Sequence, residues 1–494
     1  MISKLRNLSI LVVLLGDYSS ASESVPEMNA SNRSGVVASS ASYSSSTHRS
    51  QPLLKNMEIV GYNNLGGKPG FQMAMQKTNG RYYLYAASFR NNGWNILDVT
   101  DPAKPKNIKW LEGPWINDKV KDGQSTPKIQ LADGLLITAH GGTLKELHGT
   151  DTSLPYWGGI MIWDVKTDPE SPKLLSKFEC KGGAGVHRFF YSGGRYVYVT
   201  GAAEGYNGFI LRIVDIQDPT TPKEIGRWWA SEQYLNDKKA GSAARYGSAE
   251  ALASPFLHAL VVKDDVGYLA YANKGLVLLD LKDKSNPKMI SDLAMNPPFG
   301  GGEAGAPMHS VLPLGDRPYV VVTTEGERVP YFSNEATEGL FKKIKTQPMN
   351  MIGIVEMTDP THPSLVSVFP YPEVPAGYTH GENFNVVDGV RVPFGPHNIF
   401  DALGPGVYGQ RDDRVYSAYF NAGLRIYDVR DPFIPKEIAY FIPPDPSKEL
   451  FNNKDGTLFP GPKVGITEDV LVDDRGYIYV DTFMDGLYIL RSTL

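Results

Sequence analysis

The sequence has a single cysteine, Cys180, among its 494 residues. One cysteine excludes an intramolecular disulfide, and it excludes zinc or iron–sulfur sites built from several thiolates. A metal ion would therefore need histidine or carboxylate ligands. An excess of positive charge is also lacking, because 49 Lys and Arg stand against 54 Asp and Glu, for a formal net charge of −5. That balance argues against nucleic acid as a partner.

Long apolar runs are missing beyond the N-terminus, so no membrane span is expected in the mature chain. Common catalytic motifs are missing as well. Residues 299–302 are glycine-rich but lack the Lys-Ser/Thr pair of a phosphate-binding loop, and neither G-x-S-x-G nor H-E-x-x-H occurs. The usual hydrolase and nucleotide-binding interpretations are therefore weak.

The N-terminus combines Lys4 and Arg6 with an apolar run at 8–16 and small residues at 19–21. This pattern predicts a signal peptide over residues 1–21, and hence a periplasmic or secreted protein. An ordinary apolar N-terminus is the alternative, because Asp17 follows the run directly. Residues 22–50 are rich in serine and poor in apolar residues, which predicts a disordered linker. A single folded domain is then expected over residues 51–494.

The chain has 50 Gly and 36 Pro, more than average usage, which predicts many turns. Its clearest feature is an internal repeat. A short apolar strand ends on an acidic residue, and in most copies an Asp-Pro turn and a Pro-Lys pair follow. The first copy has its strand at 94–98, Asp-Pro at 101–102 and Pro-Lys at 105–106. The seven strands end at Asp98, Asp164, Asp215, Asp280, Glu356, Asp428 and Arg491.

Each repeat supplies four short strands, and four-stranded units of this length are typical of propeller blades. The sequence therefore predicts an all-β fold, a seven-bladed β-propeller. The last repeat has no room for its outer strand. Residues 56–61 are similar to the strand that follows Pro-Lys elsewhere, as at 223–226. We expect this N-terminal strand to pair with the last blade and close the ring, which removes exposed edges.

The repeat resembles that of the LVIVD-repeat family, most plainly at 276–280, which reads Leu-Val-Leu-Leu-Asp. The resemblance covers about residues 52–494 and implies a β-propeller. Members of this family occur among bacterial and archaeal surface or exported proteins, and the resemblance implies no particular activity. Arg491, in place of an acidic residue, is a departure from the pattern.

Loop lengths divide the predicted propeller into two faces. Turns on the short-turn face are brief, as at 78–80 and 192–194, whereas the long-loop face carries the extended segments 140–159, 227–257, 294–308, 323–351, 369–396 and 441–464. Long loops on a rigid scaffold usually build binding and catalytic sites. Aromatic residues such as Trp229, Tyr234 and Tyr378 fall in the same loops. We expect a small-molecule or carbohydrate ligand on the long-loop face.

Four of the nine histidines occupy the start of an inner strand, three of them six residues before a tight turn: His187, His258, His309 and, in a similar context, His397. Equivalent positions of successive blades converge on the propeller axis. We expect these side chains to bind a divalent transition metal, Fe, Cu, Mn or Zn. The alternative is that they bond backbone groups in a polar channel. The remaining blades place Thr126, Thr467 and either Gln72 or Met73 at this position, so half of the ring has no strong metal ligand. That open half would leave room for water or substrate.

Two further residues are candidate catalytic groups. His140 ends the second strand of blade two, where it is expected to act as a general base or to complete the metal site. Glu325 ends the second strand of blade five, where it is expected to orient a metal-bound histidine, or else to be a solvated loop charge. Arg188 follows His187 on one strand, so strand alternation predicts that it points away from the axis.

Three functions remain open at this point. The first is an exported metal-dependent enzyme with a histidine-lined axial site, an oxidoreductase or lyase acting on a small organic or sugar substrate. The second is a polysaccharide lyase in which His140 or a tyrosine abstracts a proton and arginine neutralises a uronate. The third is a non-catalytic surface propeller whose aromatic residues bind a ligand.

Overall fold

The computed structural model of the chain describes residues 48–88, 92–113, 128–141, 156–235, 256–272, 274–294, 308–326, 350–387, 390–401, 404, 406–446, 464–483 and 485–494. The expected signal peptide over 1–21 and nearly all of the expected linker over 22–50 lie outside the described residues, as does Thr126. No helix in the described ranges is long and apolar enough to cross a membrane.

Seven four-stranded antiparallel sheets, the blades, make up the described fold. Two strands, β1 (Leu53–Lys55) and β2 (Met57–Asn63), come first. Blades one to three then use consecutive strands, and blade one contains β3 (Gly70–Thr78), β4 (Arg81–Ser88), β5 (Gly93–Asp98) and β6 (Lys106–Glu112). Blade two contains β7 (Ile129–Ala132), β8 (Leu135–His140), β9 (Gly159–Asp164) and β10 (Lys173–Glu179). Blade three contains β11 (Val186–Phe190), β12 (Tyr196–Gly201), β13 (Ile210–Asp215) and β14 (Lys223–Trp228).

Blades four and five follow the same order, and the last two blades each take an outer strand from the N-terminus. Blade four contains β15 (Phe256–Lys263), β16 (Val266–Ala272), β17 (Gly275–Asp280) and β18 (Lys288–Leu293), and blade five contains β19 (Ser310–Pro313), β20 (Tyr319–Thr323), β21 (Ile352–Glu356) and β22 (Ser364–Val368). Blade six contains β25 (Arg414–Ala418), β26 (Leu424–Asp428) and β27 (Lys436–Ile442) with β1. Blade seven contains β28 (Thr467–Val472), β29 (Tyr477–Thr482) and β30 (Gly486–Ser492) with β2. A small ribbon, β23 (Val386–Val387) and β24 (Val390–Arg391), and two short 3-10 turns, Leu65–Gly67 and Ser231–Gln233, complete the elements.

The blades stack face to face, which explains why their middle strands are continuous apolar runs. β17, for example, is buried from Gly275 to Leu279 because neighbouring sheets cover both of its faces. Edge-to-face aromatic pairs join adjacent blades, as between Trp94 and Trp163, whose ring centroids are 5.1 Å apart. Inner strands of neighbouring blades contact one another, as β3 does β7, β11 does β15, β15 does β19 and β25 does β28, and β28 in turn contacts β3. The chain is therefore an all-β, seven-bladed propeller, as the repeat predicted.

The outer strands of blades one to five begin just after a proline, and the fourth residue of β14 and of β22 packs against the turn that follows β17 and β26, respectively, in the next blade. In β22, Ser367 donates a hydrogen bond from Oγ to the carbonyl oxygen of Pro432, at 2.6 Å. In β14 the same place is Gly226, where a Cβ would lie well inside van der Waals contact of the carbonyl oxygen of Lys284. A small or hydroxyl-bearing residue is required there because the blades approach so closely.

The N-terminal segment supplies the outermost strand of two neighbouring blades. β2 pairs with β30, from Met57 opposite Ser492 to Asn63 opposite Leu487, and β1 pairs with β27. Just before β1, the Arg49 guanidinium is buried and donates from Nη2 to the carbonyl oxygen of Pro443, at 2.6 Å. The segment is thus attached both by strand pairing and by a buried side chain.

Candidate metal centre

The four histidines singled out by their spacing lie at the start of the inner strands. His187 and His258 each occupy a β-bulge, since the pairing of β11 skips from Val186 to Arg188 and that of β15 skips a residue at His258. His309 immediately precedes β19, and its backbone N–H donates to the carbonyl oxygen of Thr323. His397 begins a short segment that bonds to β25, its N–H donating to Ala418. Each ring is thus placed by backbone bonding inside its own blade.

The structure brings the four rings together in one row around the axis. Ring centroids are 4.8 Å apart between His187 and His258, 4.0 Å between His258 and His309, and 5.0 Å between His309 and His397. The last three rings are fully buried, whereas His187 is partly exposed. The row therefore opens to the outside at its His187 end.

The Nδ1 atom of each of the three buried rings is hydrogen-bonded to a neighbouring oxygen. His258 donates from Nδ1 to the carbonyl oxygen of His309 at 2.8 Å, and His397 donates from Nδ1 to the carbonyl oxygen of Glu468 at 2.7 Å. His309 Nδ1 is hydrogen-bonded to the Ser310 hydroxyl at 2.7 Å. Because a carbonyl oxygen only accepts, the proton of His258 and of His397 is on Nδ1. Their Nε2 atoms therefore keep a lone pair, as in histidines that bind metals through Nε2.

The Nε2 atoms lie close to one another and to Glu325. His187 and His258 are 3.0 Å apart at Nε2. Two imidazole nitrogens bound to one ion at about 2.0–2.1 Å would lie about 2.9 Å apart at a right angle and about 3.4 Å apart at the tetrahedral angle. Glu325 places Oε2 4.0 Å from His309 Nε2 and Oε1 3.9 Å from His397 Nε2. Ligand atoms of His258, His309 and Glu325 all fall within 4.8 Å, so this buried group can hold a metal ion.

Burial also keeps the central ring neutral. Removal from water lowers the pKa of His309 well below its ordinary value, and the neighbouring His258 and His397 rings and the cations Arg188 and Lys128 lower it further. A neutral imidazole is the form that binds a metal, whereas an imidazolium has no lone pair to offer. At neutral pH the centre thus presents a neutral imidazole at His309.

Arg188 lies inside the axial channel, and the expectation that it points away from the axis is wrong. Its guanidinium is buried and donates from Nη1 to Ser310 Oγ at 3.2 Å and from Nη2 to Asn398 Oδ1 at 3.1 Å. The physical reason is the bulge at His187, which interrupts strand alternation so that two consecutive side chains both reach the axis. Arg188 therefore ties together the residues that follow His309 and His397.

Charged side chains occupy the half of the ring that has no histidines. Glu468 occupies a bulge at the start of β28 and places Oε2 3.2 Å from His397 Nδ1. Asp469 follows it, and Lys128 precedes β7 with only 1% of its surface exposed. These residues were missed from the sequence because each lies at least one residue away from the position in the repeat that the histidines occupy. The signal that would have found them is the presence of charged residues in otherwise apolar inner strands.

His140 belongs to a different environment. Its Nε2 is 2.7 Å from the Thr138 hydroxyl, its ring packs near Trp157, and burial lowers its pKa to about 3. Like His187 and His397, it is absent from the group of ligand atoms that lie within 4.8 Å of one another. Glu325, by contrast, lies where the second strand of blade five was expected to place it, beside the histidines.

Aromatic residues of the long-loop face form a separate cluster. Tyr206 contacts Trp229 and Tyr234, with centroid distances of 4.9 and 5.5 Å, and Trp229 and Tyr234 are partly exposed, at 36% and 48%. Such rings offer a flat apolar surface. This cluster belongs to blade three, in the segments that follow β12 and β14.

Comparison with known proteins agrees with the repeat architecture. The LVIVD repeat model matches residues 193–229 and 258–294, and the chain is a seven-bladed propeller that carries these repeats. No curated protein sequence matches the chain.

Two solved structures are similar in overall arrangement. A periplasmic gluconolactonase from Pseudomonas aeruginosa has 8% identity and a TM-score of 0.45, with 89% of this chain and 99% of that chain covered. A hypothetical selenium-binding protein from Sulfolobus tokodaii has 13% identity and a TM-score of 0.45, with 89% and 94% covered. Function has to be argued from the site itself.

Proposed function

We propose that this LVIVD-repeat propeller is a metal-dependent enzyme that holds one divalent transition metal ion at His187, His258, His309 and His397. The observation that carries the proposal is the hydrogen bonding of the rings. His258 and His397 each donate from Nδ1 to a backbone carbonyl, so that Nε2 is unprotonated and available as a ligand. The Nε2 atom of His258 lies 3.0 Å from that of His187, and the Nε2 atom of His397 lies 3.9 Å from Glu325 Oε1.

The ion we expect is Fe, Cu, Mn or Zn, since imidazole suits these metals and thiolates are lacking. When bound, it would polarise a substrate oxygen or exchange an electron. Redox or lyase chemistry on a small organic or sugar substrate is therefore the reaction class we propose. Export to the periplasm or the cell exterior is proposed with it, on the N-terminal pattern.

The chain's own residues have separable tasks in this proposal. Glu325 lies about equally far from His309 and His397, 4.0 and 3.9 Å, and is placed to orient both rings or to accept a proton beside them. The partly exposed His187 forms the mouth through which a ligand from the long-loop face would approach. His140, whose buried ring is bonded to Thr138, is kept in this proposal as the candidate general base.

A binding propeller without catalysis is the second candidate, and the aromatic cluster of Tyr206, Trp229 and Tyr234 favours it. Its test is glycan or small-molecule binding by wild type and by Trp229→Ala. Binding that is lost in Trp229→Ala and unaffected by His258→Gln would support this second function, and binding with the reverse sensitivity would contradict it.

Elemental analysis of protein purified without chelators or a histidine tag tests the main proposal. We expect near-stoichiometric metal in wild type and in His362→Gln, which changes an exposed histidine of a short turn. The variants His258→Gln and His309→Gln should lose most of it. Full metal content in both buried-site variants would show that the ion, if any, is bound elsewhere. Iron or copper would favour redox chemistry, and zinc or manganese lyase chemistry.

A further inference from the structure

Buried charge around the axis is unbalanced among the described residues. Two cations face five carboxyl groups, and six of the seven residues are at most 4% exposed, while the Asp401 side chain is 15% exposed. With every group ionised the net charge would be −3. Uncompensated charge in a low-dielectric interior is costly, so protons or a bound cation must offset it. The seven residues are Lys128, Arg188, Glu325, Asp401, Glu468, Asp469 and Asp481.

Asp469 and Asp481 form a directly linked pair in blade seven. The backbone N–H of Asp469 donates to Asp481 Oδ1 at 2.9 Å, and Asp469 Oδ2 accepts from the N–H of Met73 at 2.8 Å. The second oxygen of Asp481, Oδ2, is buried without a hydrogen-bond partner among the described residues. An ionised carboxylate would leave a charged oxygen unsatisfied there, which favours a proton on the pair.

The surroundings of the pair act in the same direction. Burial raises the pKa of Asp481 well above its ordinary value, and Asp469 and Glu468 raise it further. Burial likewise raises the pKa of Asp469, with Asp401 adding to the effect and the Met73 N–H, Lys128 and Arg188 opposing it. Tyr408, whose pKa burial raises, also faces this region from blade six and stays neutral. The pair therefore keeps a proton near neutral pH.

The buried central histidine cannot supply a proton when a metal arrives. His309 is neutral already, and His258 and His397 carry their Nδ1 protons in bonds to carbonyl oxygens. Binding through Nε2 uses lone pairs and releases nothing from these three rings. Among the buried groups, a charge adjustment has to come from the carboxyl groups, whereas any proton released by the partly exposed His187 is the same in wild type and in the carboxyl variants.

We propose that the Asp469–Asp481 pair is a proton site that exchanges its proton for the charge of the metal ion. One divalent ion enters the histidine group and one proton leaves the pair, so that the net gain of positive charge is one. A cavity of about 30 Å³, lined by Asp469, Asp401, Gln72, Gln130 and Tyr408 among others, borders Asp469 and has room for a water molecule to take up the proton. The exchange rests on the proposed metal site. Metal affinity then rises with pH, by up to about tenfold per unit while the pair is protonated.

A proton count during zinc binding tests the exchange. Zinc chloride is added to the metal-free full-length protein in weak buffer at pH 6, and released protons are measured with an indicator. We expect wild type to release about one proton more per bound zinc than Asp469→Asn, which keeps the acceptor for Met73. Asp474→Asn is the matched control, since Asp474 lies in the same blade, paired with Lys77 at the surface. Equal release by wild type and Asp469→Asn at equal zinc stoichiometry overturns the proposal.

A second measurement separates this proposal from the metal site itself. Infrared spectra of the metal-free protein should show a protonated-carboxyl band at pH 6 that weakens in Asp469→Asn and in Asp481→Asn. If zinc fails to bind wild type, the proposed function and the exchange are both wrong, whereas the band still reports whether the pair holds a proton. If zinc binds and the band is absent, only the exchange is wrong.

Discussion

The Nδ1 atom of His258 donates a hydrogen bond to the carbonyl oxygen of His309, 2.8 Å away, and the two rings are 4.0 Å apart. One candidate ligand thus sets the tautomer of its neighbour through its own backbone. Because inner strands of adjacent blades run side by side, the backbone of one blade is the natural acceptor for a ring of the previous blade. The same relationship joins His397 to Glu468.

Glu325→Gln should weaken metal binding without unfolding the protein. The amide keeps the size of the side chain but removes the negative charge near His309 and His397, and loss of such a partner typically costs about 10–100-fold in affinity. Metal titration followed by competition with a chelator measures the effect. Glu356→Gln, at the end of β21 in the same blade, should bind metal as wild type does. Equal affinities for all three proteins would remove Glu325 from the site.

Arg188→Lys should disturb the geometry of the centre more than its occupancy. The guanidinium bonds Ser310 and Asn398 at once, and a single ammonium cannot reproduce that fork. We expect the electron paramagnetic resonance spectrum of the copper-loaded protein to change and affinity to fall about tenfold. Arg195→Lys, which alters an exposed pair with Asp215 in the same blade, should leave the spectrum unchanged. An unaltered spectrum in Arg188→Lys would reduce the residue to a packing role.

The contribution of His309 to the stability of the metal-free protein should decline as pH falls below about 6.5, the ordinary pKa of histidine. His309 has a lowered pKa in the folded state, so the unfolded chain binds a proton that the folded protein refuses. This contribution is complete above pH 6.5 and is lost on acidification, with a slope of at most about 1.4 kcal/mol per pH unit for one group. Urea unfolding between pH 7.5 and 5 measures it. His309→Gln should show a shallower slope, and an identical slope would contradict the assignment.

Gly226→Ala should destabilise the fold by about 1–3 kcal/mol, because the added methyl group would push against the carbonyl oxygen of Lys284 in the next blade. Gly404→Ala is the matched control, since its Cβ would meet only ordinary contacts, the nearest at 3.4 Å. Thermal unfolding monitored by circular dichroism compares the two variants. A stable Gly226→Ala protein would show that the blades can separate slightly without cost.

The amino-acid sequence determined the architecture because the signal is repeated seven times. The apolar strand with its acidic end and Pro-Lys pair indicates where each blade begins and ends. Four histidines occur at the same position of the repeat, which indicates that their side chains share the axis. Glu325, for which the sequence left open a partner of the histidines or a solvated loop charge, lies buried beside His309 and His397. These inferences need only periodicity, which survives long insertions in the loops.

Tertiary structure decided what surrounds those histidines. The bulge at His187 brings Arg188 to the axis against strand alternation, and the bulge at the start of β28 brings Glu468 to His397. Periodicity cannot show a bulge, because it depends on how a strand pairs with its neighbour rather than on residue spacing. The protonation of Asp469 and Asp481 likewise follows from burial and from each other's charge. Those two quantities exist only once seven separate blades have closed around a single axis.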